Sequence, residues 1–133
     1  MRVVIFGSRG LRDRAALVEA LQMLDLLHGI TPTTVVSGAE PTGMDAEGEA
    51  WAREHGVAID SHPADWRKFP KTGGMIRNVQ MAKQCDAGVG VVVRGGSPGS
   101  NHMARELARR EKPVYVVEVD APAYLTGTQK SRP

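Results

Sequence analysis

The sequence is poor in cysteine and in long apolar runs, and each shortage excludes a class of protein. Its one cysteine, Cys85, cannot form an internal disulfide, and no set of cysteines stands at metal-site spacing. No stretch approaches the roughly 18 apolar residues of a membrane span, and the N-terminal apolar run, Val3 to Phe6, is too short for a signal peptide. We therefore expect a cytoplasmic protein with no metal, no cofactor and no membrane partner.

Aromatic residues are also few, and neither sign of charge is in large excess. The 17 basic and 15 acidic side chains give a formal net charge of +2, unlike a protein that coats nucleic acid. A chain of 133 residues can bury roughly two-thirds of its unfolded surface, so a core alone can hold it together. We expect one domain over residues 1–120 and a flexible tail over 121–133, where apolar periodicity ends.

What is present is an alternation of short apolar segments with segments of helical periodicity. Leu17, Leu21 and Leu24 recur at spacings of four and three, which predicts an amphipathic helix capped by Asp13. The predicted strands are 2–6, 34–37, 57–61, 87–93 and 113–119, and the predicted helices are 13–28, 45–55, 75–84 and 101–111. Because parallel neighbours need crossovers, the pattern predicts an α/β fold: a three-layer, Rossmann-like doubly wound sheet of about five parallel strands with flanking helices.

Polar and glycine-rich loops follow four of the predicted strands. In a doubly wound sheet these loops meet at one rim, where ligands bind. Glycine lets the backbone approach a phosphate, and the free N–H groups of a helix start can hold it. The ligand- or phosphate-binding candidates are Gly7, Ser8, Arg9, Gly38, Gly43, Asp65, Trp66, Asn78, Gly95, Gly96, Ser97, Gly99 and Ser100. The alternatives for these positions are plain surface turns, solvated side chains and, for Trp66, a core plug.

Three further residues are the candidates for chemistry: Asp45, Glu49 and Arg77. Asp45 opens the second helix, where a carboxylate either caps the backbone or contacts a sugar hydroxyl and acts as an acid or base. Glu49 lies one turn on, on the same face, and is otherwise a solvated helix carboxylate. Arg77 follows a Gly-Gly pair and either neutralises phosphate or faces solvent.

Four ordered blocks of these residues resemble the SLOG superfamily, related to the DprA and LOG Rossmann-like folds, and within it the small YspA-like, cpYpsA-related proteins. The match runs from Met1 to about Val117. The blocks are Gly7-Ser8-Arg9; Ser37-Gly38 with Gly43-Met44-Asp45 and Trp51-Ala52; Pro63-Ala64-Asp65-Trp66 with Gly74-Met75-Ile76-Arg77-Asn78; and Gly95-Gly96-Ser97-Pro98-Gly99-Ser100 before His102-Met103.

The resemblance implies a nucleotide-related ligand on the glycine-rich rim. The LOG relatives release a base from a nucleoside monophosphate. In them the reaction uses an arginine and a glutamate that follows the glycine motif, and Arg77 matches the arginine. Here the aligned positions hold Asn101, His102 and Met103, with Glu106 a turn further on. That departure favours a sensor, carrier or sequestering protein over an enzyme.

Two alternatives stay open beside this hypothesis. One is a LOG-like N-glycosidic hydrolase or a deoxyribosyltransferase-like enzyme acting on nucleoside monophosphates. The other is single-strand nucleic-acid binding as in DprA relatives, through the basic helix end of Arg105, Arg109, Arg110 and Lys112, although few aromatic rings are available to stack bases. Self-association of the relatives further implies a homodimer.

Overall fold

Residues 1–126, the part of the chain that the computed structural model describes, form a five-stranded parallel sheet with helices on both faces. The strands are β1 (Arg2–Gly7), β2 (Thr34–Ser37), β3 (Ala58–Ser61), β4 (Ala87–Val93) and β5 (Val114–Val119). The helices are α1 (Arg14–His28), α2 (Gly43–Glu54), α3 (Gly73–Gln84), α4 (Pro98–Arg109) and α5 (Ala123–Thr126). The strand order is β3-β2-β1-β4-β5, and every neighbouring pair is parallel. The predicted Rossmann-like class is confirmed.

The central strand β1 separates two apolar cores. Val3 and Ile5 face the helices α1 and α2, and Val4 and Phe6 face α3 and α4. Because both faces of the strand are buried, its sequence is continuously apolar instead of alternating, as in other parallel sheets. The result is three layers, with the first two helices on one side of the sheet and the next two on the other.

Three helices begin two or three residues earlier than predicted. They start at Gly43, Gly73 and Pro98, whereas the predicted starts were 45, 75 and 101. Glycine and proline end a helix when they stand in its interior, but the first turn tolerates both because its N–H groups have no intrahelical partner. The correction matters for function, since it brings these unbonded N–H groups into the loops at the rim of the sheet.

The C-terminal region is described as far as residue 126. Within the predicted tail, α5 lies against the loop that precedes α1, and the Tyr124 hydroxyl accepts from the Arg12 N–H at 2.9 Å. Residues 127–133 lie outside the described part, so their predicted flexibility stays a prediction, as does the single-domain organisation. Among the helices of residues 1–126, none combines the length and apolar character that crossing a lipid bilayer requires.

Helix α1 is capped at both ends, as its sequence predicts. The Ala16 N–H donates to Asp13 Oδ1 at 2.9 Å, and Gly29 ends the helix in the left-handed conformation. We expect Asp13→Ala to lower the free energy of unfolding by about 1 kcal/mol, because the substitution leaves a first-turn N–H without its acceptor. Urea denaturation measures the loss.

The control for Asp13 is Asp25→Ala, which removes an exposed carboxylate from the other end of the same helix. A carboxylate near a helix C-terminus is unfavourable, so this variant should keep or slightly raise stability. Equal losses in the two variants would contradict the capping role of Asp13.

Candidate functional site

A cavity of about 480 Å³ opens at the carboxyl ends of β1 and β4. The strand order reverses between these two strands, and the helices that follow them pack on opposite faces of the sheet. This is the position at which open α/β sheets bind ligands. We call it the main cavity.

The main cavity brings together half of the predicted site residues. From the candidates, it is lined by Gly7, Arg9, Asp45, Arg77, Asn78, Ser97, Gly99 and Ser100. Phe6, Met81, Pro98 and Met103 complete the wall. Phe6, Met81 and Met103 also belong to the apolar core between the sheet and α3 and α4, a double role that periodicity alone does not reveal.

A second hollow of about 210 Å³ adjoins the first and extends the site towards Trp66. Arg9, Arg77, Asn78 and Gly99 line both hollows, so the two are continuous. The Trp66 side chain lies against Gly73 and Gly74 and is 44% exposed. One consequence is that Trp66 is not a core plug but a ring at the site that is open to a ligand.

Other predicted residues serve the site indirectly. The Ser8 hydroxyl is buried and accepts from the Val93 N–H at 2.9 Å, which ties the exit of β1 to β4. Glu49 on α2 has a similar role at the end of β2: it accepts from the Ser37 hydroxyl at 2.6 Å and does not line the main cavity. Asp65 Oδ1 accepts from the Lys68 N–H at 3.0 Å and so stabilises its own turn.

The predicted glycines that do not line the main cavity lie in three places. Gly95 and Gly96 adopt positive φ and line a hollow of about 380 Å³ beside β5, which shares Phe6 and Ser100 with the main cavity. Gly43 opens α2 and lines a small hollow of about 50 Å³ that it shares with Arg9 and Asp45. Gly38 lies where the side chains of Arg77 and Asp45 meet.

Arg77 and Asp45 converge on Gly38. Arg77 donates from Nη1 to the Gly38 carbonyl at 2.7 Å and from Nε to Asn78 Oδ1 at 3.1 Å. A Cβ at Gly38 would lie 2.6 Å from Arg77 Nη1 and 2.7 Å from Asp45 Oδ2. Only glycine therefore admits both side chains, and among residues 1–126 the Nη2 group of Arg77 has no partner of its own.

Asp45 is held by the strained loop that follows β2. Its Oδ2 accepts from the Glu40 N–H at 3.1 Å, and the preceding Ala39 has a φ of 61°, which is uncommon for a residue with a side chain. Burial raises the pKa of Asp45 to about 6, although the Glu40 N–H and the Arg77 charge act in the opposite direction. A carboxyl group with this pKa in a cavity can be ionised at neutral pH and still exchange a proton.

The start of α4 presents unsatisfied donors to the main cavity. Ser97 is the N-cap residue, yet its side chain makes no capping hydrogen bond. The Ser100 hydroxyl is buried and has no hydrogen-bond partner in the described part of the chain. The first-turn N–H groups of a helix also lack intrahelical acceptors and carry the positive end of the helix dipole.

Sequence reasoning missed one polar residue close to the site. His102 is buried on α4, and its Nδ1 lies 3.2 Å from Asn78 Nδ2. The contact depends on the packing of α3 against α4 and has no counterpart in the sequence pattern. No group of three or more His, Cys, Asp and Glu residues within residues 1–126 is arranged to hold a metal ion.

The fold and the rim define a doubly wound α/β protein with a polar crevice at its topological switch point. The family model of the YspA, cpYpsA-related SLOG family matches residues 1–69. The chain is also 35% identical over 121 residues to the Gene 61 protein of Mycobacterium phage D29, covering 85% of this chain and 93% of the phage protein. It therefore belongs to the YspA, cpYpsA-related SLOG family, as the sequence blocks predicted. No solved structure gave a significant match.

Proposed function

We propose that the main cavity binds a nucleotide or a nucleotide-derived phosphate ligand, and that the protein acts as a sensor, carrier or sequestering protein. One observation carries the proposal: the buried Ser100 hydroxyl at the open start of α4 has no hydrogen-bond partner within the described residues, and it lies in a cavity that Arg77 also lines. Burying a hydroxyl without a hydrogen bond is unfavourable, and an anion in the cavity would supply the missing acceptor.

The phosphate would lie at the start of α4. Its oxygens would accept from the first-turn N–H groups, from the hydroxyls of Ser97 and Ser100, and from Arg77 Nη2. Helix N-termini bind phosphate in this way because their N–H groups and dipole favour negative charge. Arg9, which is exposed and has no ion pair in the described part of the chain, would add a second guanidinium at the mouth of the cavity.

The nucleoside would extend from the phosphate towards Asp45 and Trp66. The Asp45 carboxylate would accept from a sugar hydroxyl, and the uncovered Trp66 ring would stack on a base. Stacking on an aromatic ring contributes about 1–3 kcal/mol per base and tolerates different bases. Membership of the SLOG family supports a nucleotide-related ligand over other anions of the same size.

The direct test is a thermal-shift screen of the protein against nucleoside mono- and diphosphates and cyclic nucleotides. A ligand that binds only the folded state raises the apparent melting temperature with its concentration. We expect at least one nucleotide to raise it and the corresponding nucleoside, which lacks phosphate, to have little effect. Equal shifts by nucleoside and nucleotide would contradict a phosphate site.

Ser100→Ala separates binding from folding. The substitution removes a hydroxyl that has no hydrogen-bond partner among residues 1–126, so the melting temperature without ligand should stay the same or rise. Binding of the best nucleotide from the screen should weaken by at least about tenfold, the lower limit for one hydrogen bond to a charged group. Ser61→Ala, at the exposed end of β3, is the matched control and should change neither quantity.

The second candidate function is cleavage of an N-glycosidic bond, and Asp45 is the observation that favours it. Glu106 does not line the main cavity, and its hydrogen bonds to Arg110 and Arg109 lower its pKa to about 2. The carboxylate beside the sugar would therefore be Asp45, stabilising an oxocarbenium-like transition state. Prolonged incubation with nucleoside monophosphates should then release free base in an amount that Asp45→Asn abolishes; tight binding without release excludes this function.

Nucleic-acid binding is the least supported alternative. Of the basic helix end, Arg109 and Arg110 pair with Glu106, and Lys112 Nζ donates to the Ala82 carbonyl at 2.5 Å. Charges that are engaged in this way are less available to phosphates. The homodimer expected from the resemblance stays a prediction, which the sedimentation behaviour of the purified protein would test.

A further inference from the structure

We propose that His102 and Glu106 are positioning residues: they fix the side chain of Asn78, and Asn78 in turn holds Arg77 in the orientation that faces the ligand. The part of this proposal that concerns ligand affinity rests on the proposed function. The part that concerns the orientation of Arg77 stands on the free protein alone.

Asn78 is the centre of the arrangement. It is 7% exposed, on α3, and contacts three groups from two helices. Its Oδ1 accepts from Arg77 Nε at 3.1 Å, and its Nδ2 donates to the Gly99 carbonyl at 3.3 Å. The same Nδ2 lies 3.2 Å from His102 Nδ1.

The chemistry of these partners fixes the Asn78 amide. Arg77 Nε can only donate, so the atom that faces it must be the amide oxygen. The Gly99 carbonyl can only accept, so the atom that faces it must be the amide nitrogen. A rotated amide would lose both hydrogen bonds, and only one orientation satisfies the two sides.

The orientation of the Asn78 amide determines which tautomer His102 adopts. The second hydrogen of Asn78 Nδ2 points at His102 Nδ1, which must therefore carry a lone pair. The ring proton of neutral His102 then lies on Nε2, which is 3.6 Å from Glu106 Oε2. Glu106 is also bound by Arg109 and Arg110, and these hydrogen bonds lower its pKa to about 2 and keep it ionised. A fixed negative charge beside Nε2 favours the proton at that nitrogen.

Loss of the acceptor at His102 would release one side of Asn78. The amide could then turn, and Arg77 would keep its bond to the Gly38 carbonyl but lose the constraint at Nε. An arginine held at two points presents its remaining N–H groups to a phosphate in a fixed direction, whereas one held at a single point must be ordered on binding. His102 and Glu106 therefore act on the ligand without touching it.

The test compares two substitutions of the same residue. Asn places its side-chain oxygen near the position of the histidine Nδ1, so His102→Asn retains an acceptor for Asn78. His102→Leu has no acceptor and fills similar space. Both variants lose the imidazole ring and its contact with Glu106, and only His102→Asn keeps an acceptor that faces Asn78.

The first measurement needs no ligand. In nitrogen-15 NMR spectra of the wild-type protein, we expect His102 to carry its proton on Nε2 and the Arg77 Nε–H to exchange slowly with water. Slow exchange should persist in His102→Asn and disappear in His102→Leu. A proton on Nδ1 of His102 in the wild-type protein overturns the proposal whether or not the variants fold. Equal protection of Arg77 Nε–H in the two folded variants also overturns it.

The second measurement uses AMP and inorganic phosphate as probes. We expect His102→Leu to bind them about tenfold more weakly than the wild type and His102→Asn to stay within about threefold, which is the range of one hydrogen bond. Equal weakening in both variants would overturn the positioning role. If the wild type binds neither probe while the NMR result holds, the choice of ligand in the proposed function is wrong and the orientation of Arg77 stands.

Discussion

Arg77→Met is expected to weaken nucleotide binding by about 100-fold, the largest effect of any single substitution in the site. Arg77 lines both the main cavity and the adjoining hollow, and two of its nitrogens are already fixed by Gly38 and Asn78. Hydrogen bonds to charged groups contribute about 1.5–3 kcal/mol each, and the Nη2 group of Arg77 carries two N–H donors for a phosphate. Isothermal titration with the best nucleotide from the screen measures the loss.

The matched control for Arg77 is Arg53→Met on α2. Arg53 is exposed, lies outside the main cavity, and gives the same change in net charge. Arg77→Lys keeps the charge without the planar fork and should fall between the wild type and Arg77→Met. Similar losses for Arg53→Met and Arg77→Met would show that binding depends on overall charge and not on this site.

Asp45→Asn is expected to stabilise the protein at pH 7.5 by about 1–3 kcal/mol, a gain instead of the usual loss. Burial raises the pKa of Asp45 from its ordinary value of 3.8 to about 6, so the folded state holds the proton more tightly than the unfolded chain. Each pKa unit corresponds to about 1.4 kcal/mol. Asn retains an oxygen that can accept from the Glu40 N–H, and it removes the buried charge.

The sign of this effect depends on pH. Ionising Asp45 costs stability as the pH rises from about 4, near the pKa of the unfolded chain, to about 6, and the whole cost is present above that range. The gain from Asp45→Asn should therefore be full at pH 7.5 and absent at pH 4. Chemical denaturation at the two pH values measures it, with the exposed Asp25→Asn as control. A loss of stability at pH 7.5, or the same gain at both pH values, would contradict the raised pKa.

Stability and function are opposed at this rim. Three unfavourable features lie at the rim of the sheet: the buried carboxylate of Asp45, the positive φ of Ala39, and the buried Ser100 hydroxyl, which has no partner in the described part of the chain. Each costs free energy in the free protein, and proteins keep such costs where a ligand or a reaction uses them. The proposed ligand would offset at least the cost at Ser100.

The strands and the class of fold could be predicted from sequence because the signal is local. The segment Ala87–Val93, for example, is apolar throughout and ends at a glycine-rich loop, and the structure gives the same bounds as the prediction. The convergence of loops at one rim was also predictable from the sequence, because parallel strands bring their carboxyl ends together. The first residues of α2, α3 and α4 were not predicted correctly, because glycine and proline occur both in the first turn of a helix and in the loop before it.

The direction in which each candidate side chain points was not available from the sequence. Ser8 and Arg9 are neighbours, yet the Ser8 hydroxyl bonds to the backbone of Val93, 85 residues away, while Arg9 lines the main cavity. Gly95 and Ser97 belong to one loop but line different hollows. Such differences arise from tertiary packing, and a local pattern does not encode them.

The most direct test of the central claim is an NMR titration of the protein with AMP that follows the backbone amides. A phosphate at the start of α4 predicts saturable shifts of the Gly99 and Ser100 amide signals, together with the side-chain signals of Arg77, at one common affinity. Saturable shifts confined to another surface, such as the basic end of α4, would contradict the account.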